Sequence, residues 1–188
     1  MDLNKYILPV IFLISVCSLA TGQNRIYKTS TGTISFKSDA PLEVITASSK
    51  KMEGVIDIDA LSFAFAVTIR TFEGFNNGLQ RQHFYENYME TDKYPSATFS
   101  GKIIEHVDLS VPGTYQVRAK GQLHIHGRVK ERIIKTELIS TGTEIKATSS
   151  FFVPLMDHQI EVPRIVNQKI AQEIEVTVKA TLSIEGKS

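Results

Sequence analysis

Residues 115–128, YQVRAKGQLHIHGR, alternate between two kinds of side chain along their whole length. Tyr115, Val117, Ala119, Leu123 and Ile125 fall on one face, with Gly121 and Gly127 among them. Gln116, Arg118, Lys120, Gln122, His124, His126 and Arg128 fall on the other. Successive side chains of a strand point to opposite faces, so this pattern predicts a strand with one apolar and one wet side. Residues 173–184 repeat it, with Ile174, Val176, Val178, Ala180, Leu182 and Ile184 facing in. Weaker strand signals cover 26–36, 42–46, 54–70, 96–104, 129–139 and 143–153. Pro112-Gly113, Gly127-Arg128 and Thr141-Gly142-Thr143 mark turns between them. About eight strands with short links suggest an antiparallel meander.

One wet and one apolar face per strand fits a closed barrel or a sandwich rather than a parallel sheet. The inward set mixes Phe63, Phe65, Phe99 and Phe151 with Ala97, Gly101, Ala119, Gly121, Ala147 and Ser149. Small inward residues either leave room for a ligand or ease tight strand curvature.

Residues 76–90 break the alternation. Leu79, His83 and Asn87 share a face at helical spacing, as do Phe84 with Tyr88 and Tyr85 with Met89. Asn76 or Asn77 can cap the start, and Tyr94-Pro95 blocks continuation. One short helix among strands is either a core helix or a cover over one end of a barrel.

Composition changes the picture at the N-terminus. Lys5, the apolar run YILPVIFLISV (6–16) and the small residues of CSLATGQ read as a secretory signal peptide over 1–22. Cleavage fits after Ala20 or after Gly22. The run is shorter than the about 20 apolar residues of a membrane span. Cys17, the single cysteine, lies within it, and bulky Val16 before it does not suit lipidation. Residues 23–188 then form one domain without disulfides, in the periplasm or secreted. The formal net charge of +1 gives no basic stripe for nucleic acid. Nothing beyond residue 22 is long and apolar enough for a transmembrane helix.

Three constellations carry candidate chemistry. His124-x-His126 with Glu131 has the spacing of some metal sites, but both histidines fall on the polar side of the strand. His83 near Glu86 and Glu90 could form a base held by a carboxylate, yet no nucleophile elbow accompanies it. Asp157-His158 reads either as a carboxylate-held histidine or as a rim turn before an edge strand ended by Pro163. The expectation is neither a metal site nor an enzyme.

The stretch GLQRQHFYENYMETDKYPSATFSGKI (78–103) resembles the most recognisable part of YceI-like proteins. There a short helix with a histidine near its start leads through Y-P-x-A-x-F into a strand, here His83, Tyr94, Pro95, Ala97 and Phe99. GQLHIHGRVKERIIKTEL (121–138) is similar to the family's G-x-L-x-(I/L)-x-G-x-x-K hairpin, at Gly121, Leu123, Ile125, Gly127 and Lys130. KIAQEIEVTVKATL (169–182) resembles its last strand. Where many members carry Arg-Asp-x-His-Leu, this chain reads Arg81-Gln82-His83-Phe84.

The resemblance implies a mainly β protein: a single antiparallel, eight-stranded, lipocalin-like barrel with one short helix inserted near 76–90. It implies a non-catalytic carrier of a polyisoprenoid or quinone-type lipid, with no resident cofactor. The expected walls are Phe63, Phe65, Phe99, Leu123 and Phe151, joined by Leu79, His83, Phe84 and Tyr88 of a lid, with His83 nearest a polar head. The alternative is a protein-interaction or stress-related barrel with a solid core. A homodimer through an edge strand is left open.

Overall fold

The computed structural model describes residues 25–184. The expected signal peptide, its cleavage points and Cys17 lie outside them. Eight antiparallel strands follow one another around a closed barrel: β1 Ile26–Asp39, β2 Val44–Asp57, β3 Ser62–Thr68, β4 Ser96–Ile103, β5 Gly113–Ile125, β6 Arg128–Ser140, β7 Glu144–Pro154 and β8 Glu173–Ile184. β8 closes on β1, with Phe36 opposite Val176. The alternation therefore belongs to a barrel and not to a sandwich.

Three strand boundaries differ from the pattern. β2 is continuous through the polar stretch 47–53, because Ser49 is buried and bonded to Thr71 Oγ1 at 2.6 Å. The expected single strand 54–70 is broken into the end of β2 and all of β3. The Asp57 carboxylate accepts from the backbone N–H groups of Asp59 and Ala60, making a turn without glycine. β5 also ends earlier than the alternation suggests. His126 and Gly127 both have positive φ and form the two-residue turn to β6, the geometry of a type I′ hairpin. His126 is thus a turn residue, not an outward strand residue.

One barrel end is packed shut. Leu109, Ile145 and Leu182 are fully buried there, Tyr27 donates to Gly142 O at 2.7 Å, and Ser140 donates to Leu109 O at 2.6 Å. The other end carries the insert and the long β7–β8 link. The insert begins as α1, Gly78–His83, with the Asn77 side chain accepting from Gln80 N at 2.9 Å. It continues as a π-helical turn, Phe84–Tyr88, and not as the regular helix expected to residue 90. Such turns recur at functional sites.

The β7–β8 link runs through 3₁₀ turns at Leu155–His158 and Arg164–Val166. No edge strand forms before Pro163. Asp157 lies 3.6 Å from Arg132, and the buried His158 ring has no well-formed hydrogen bond, so the carboxylate-held histidine does not form either.

Candidate functional site

The barrel interior is not solid. It holds a cavity of about 430 Å³, within the range of small-molecule pockets, which removes the solid-core alternative. The inward faces of the strands build its wall. Phe63 and Phe65 of β3, Phe99 of β4, Leu123 of β5 and Phe151 of β7 all line it. Phe63 packs on Phe99 with ring centroids 4.9 Å apart.

Small residues divide into two groups. Ala97, Ala119, Ala147 and Ser149 line the cavity and widen it. Gly101 and Gly121 do not. They face each other across β4 and β5, where a Cβ on Gly101 would lie 2.1 Å from Lys120 O. Their smallness serves close backbone approach. Gly54 is different again: the Phe65 ring occupies the place of its missing side chain.

The insert covers the open end. His83, Phe84 and Tyr88 line the cavity. Leu79 does not; it is 61% exposed on the outer side of α1, so helical spacing assigned it to the wrong face. Phe84 contacts Phe36, Phe72 and Phe75, an aromatic plug between wall and cover. Tyr85 fastens it by donating to Phe72 O at 2.6 Å. Burial raises the Tyr88 hydroxyl above its usual range, keeping it protonated beside the cavity.

His126 ties both covering segments together. Its Nε2 is 2.8 Å from Glu90 Oε2, its Nδ1 is 3.1 Å from His158 O, and its ring meets Tyr94 edge-on. Glu90 therefore serves His126 and not His83, while Glu86 accepts from the Gln82 amide. His124 stays on the outer face of β5, and Glu131 pairs with Lys120 at 3.4 Å. Among the described residues, no three His, Cys, Asp or Glu side chains are grouped to hold a metal. No described helix is long and apolar enough to cross a membrane.

The lining becomes polar beneath the cover, at Glu43, Gln80, His83 and Lys169. Glu43 Oε1 accepts from Gln80 Nε2 at 2.6 Å and from Asn76 Nδ2 at 3.4 Å. Its second oxygen accepts no hydrogen bond among the described residues. Asn76 also donates to Val44 O, which fixes the insert to the start of β2. Sequence reasoning missed Glu43 and Gln80, because only the fold brings residues 37 positions apart together. It also missed Phe36, Phe72 and Phe75. Phe36 could have been found, since it continues the Ile34 alternation of β1.

The model of the YceI-like domain family matches residues 23–182. No curated protein matches. Among solved structures, a polyisoprenoid-binding domain from Saccharophagus degradans, implicated in plant cell wall breakdown, aligns with a TM-score of 0.72. It is 15% identical, and the alignment covers 86% of this chain and 99% of that one. BcnA of Burkholderia cenocepacia aligns with a TM-score of 0.66 at 14% identity, over 81% of this chain and 96% of that one. A Campylobacter jejuni YceI protein aligns at 0.56 and 15% identity, over 100% and 94%. At these identities the likeness concerns the fold.

Proposed function

The chain belongs to the YceI-like family, and from that premise we propose that it is a binding or carrier protein for a lipid with a long apolar chain. The observation that carries this reading is the apolar cavity under an aromatic cover. Each buried CH₂ of such a chain gains about 0.8 kcal/mol by leaving water. A tunnel walled by Phe63, Phe65, Phe99, Leu123 and Phe151 collects that gain without charge chemistry. The polyisoprenoid-binding domain of similar fold supports an isoprenoid chain as the cargo.

The polar end orients the cargo. A head group lies beneath the cover, near Glu43, Gln80, His83 and Tyr88, while the chain runs toward the closed end. The free Glu43 oxygen is an acceptor, so a donating head such as a phenol, quinol or alcohol fits beside it, with Lys169 at the same end as a donor to a head-group oxygen. Catalysis and a resident cofactor have no part in this reading. The signal-peptide pattern of residues 1–22 supports a periplasmic or secreted location.

The test is size-exclusion co-elution of delipidated protein with a polyprenyl quinol, a polyprenyl quinone and a polyprenyl phosphate. Near-stoichiometric co-elution of a neutral polyprenyl lipid is expected. Ala97→Trp, which fills the cavity, should abolish it with the circular dichroism spectrum unchanged. Co-elution that survives Ala97→Trp, or none with any of the lipids, contradicts the proposal.

A further inference from the structure

The barrel wall has a slit. β6 and β7 are thirteen and eleven residues long, yet their ladder joins only Glu137–Ser140 to Ile145–Thr148. From Thr136 and Ser149 toward the covered end the two strands run side by side without ladder pairs. β2 and β3 also share a short ladder, but there residues 69–75 fill the space, with Ser48 and Glu73 exchanging two backbone bonds of 2.8 Å. Among the described residues, no backbone hydrogen bond spans the β6–β7 gap between 132–136 and 149–153. Side chains bridge it instead. Thr136 Oγ1 and Ser149 Oγ are 3.1 Å apart at its base, and Arg132 donates to Phe152 O at 2.6 Å higher up. The Leu155–His158 turn closes its outer end.

The slit opens onto the cavity. Ile134 and Thr136 on one bank, and Ser149, Phe151 and Val153 on the other, line it. The outer banks are apolar. Ile133 and Phe152, which the register would set opposite each other, are 54% and 55% exposed. Val129 and Met156 continue the two banks and are also exposed. Along this stretch of β6 stand Arg128, Lys130, Arg132 and Lys135, and Glu131, between Val129 and Ile133, is paired with Lys120 at 3.4 Å.

We infer that this slit is the passage through which the lipid chain enters and leaves, with its banks resting on a lipid surface. The inference rests on the lipid-binding reading above. A long chain leaving through the covered end must displace the whole aromatic plug. Leaving sideways, it breaks no ladder bonds and only three side-chain bridges, the third being the 3.6 Å pair of Arg132 with Asp157. Exposed apolar banks on a stretch where cations outnumber carboxylates match an acyl interior and anionic head groups. Arg132 is the pin that holds the passage shut.

Transfer of a fluorescent polyprenyl lipid from vesicles of phosphatidylcholine and phosphatidylglycerol, followed by stopped flow, tests this. Arg132→Ala removes a charged hydrogen bond, and transfer both ways should quicken about tenfold. A Thr136→Cys, Ser149→Cys pair, oxidised to a disulfide, should slow transfer at least fivefold, and reductant should restore it. Ile133→Glu should slow uptake from vesicles. It should leave uptake from ethanol-dispersed lipid unchanged. Transfer indifferent to Arg132→Ala and to the disulfide, in a protein that still binds, overturns the passage alone and assigns traffic to the covered end. A protein that binds no lipid overturns both readings.

Discussion

The Phe84 ring in the cover stacks on the Phe36 ring in the wall, with centroids 5.2 Å apart and planes 24° from parallel. This contact joins the π-helical turn to β1, two segments that share no ladder. It holds the cover down by packing, and packing is easily loosened. An aromatic pair of this kind contributes about 0.5–1.5 kcal/mol beyond its buried area. Phe84→Ala should therefore loosen the cover and raise the rate at which bound lipid becomes accessible to a water-soluble quencher by roughly two- to tenfold. Stopped-flow quenching measures it; an unchanged rate would mean that the plug does not limit access.

Glycine substitutions separate wall from cavity. The atoms nearest a Cβ at Gly54 all belong to the Phe65 ring, a side chain that borders the cavity and not the backbone. Gly54→Ala should cost little stability but reduce lipid capacity. A Cβ at Gly101 meets the Lys120 carbonyl and the Gly121 backbone, which cannot yield without opening the β4–β5 ladder. Gly101→Ala should cost about 1–3 kcal/mol or more. Urea unfolding and a binding titration on both variants check the contrast.

The strands were legible because alternation is a local property. β5 and β8 show it residue by residue, and so do the wall residues Phe99 and Leu123. The cover was legible only in part. The spacing that placed Phe84 and Tyr88 correctly also placed Leu79 inside, because a six-residue helix turned into a π-turn does not keep one face. His126 looked like an outward strand residue because nothing local says that a histidine before glycine will take the left-handed conformation. Glu43 with Gln80, and the β6–β7 slit, depend on contacts between distant segments, which no periodicity encodes.

The head-group assignment puts weight on Glu43. Its replacement by Gln keeps the shape and the tie to Gln80 but removes the charge. A hydrogen bond to a charged acceptor is worth about 1 kcal/mol more than one to a neutral acceptor. Glu43→Gln should weaken a polyprenyl quinol about fivefold. It should leave the corresponding quinone, which donates nothing, unchanged. Equal effects on both would place the head group elsewhere.

Acid should destabilise the covered end through His158. Desolvation by burial pushes its imidazole below the ordinary value, although the Arg128 and Ile125 carbonyls and Asp157 pull the other way. The unfolded chain takes up this proton near pH 6.5, the folded chain only at lower pH. The contribution is therefore fully present above about pH 6.5 and is lost as pH falls through the folded value. Melting temperature should fall over that window. His158→Leu should flatten the slope; an unchanged slope would assign the acid sensitivity to other groups.

The most direct test is native mass spectrometry of the protein as purified, followed by organic extraction of what it carries. A second charge series heavier by one lipid is expected, with an extract containing a polyprenyl chain with a neutral, hydrogen-bonding head. A single series at the protein's own mass, unchanged after incubation with such lipids, would contradict the lipid-binding reading.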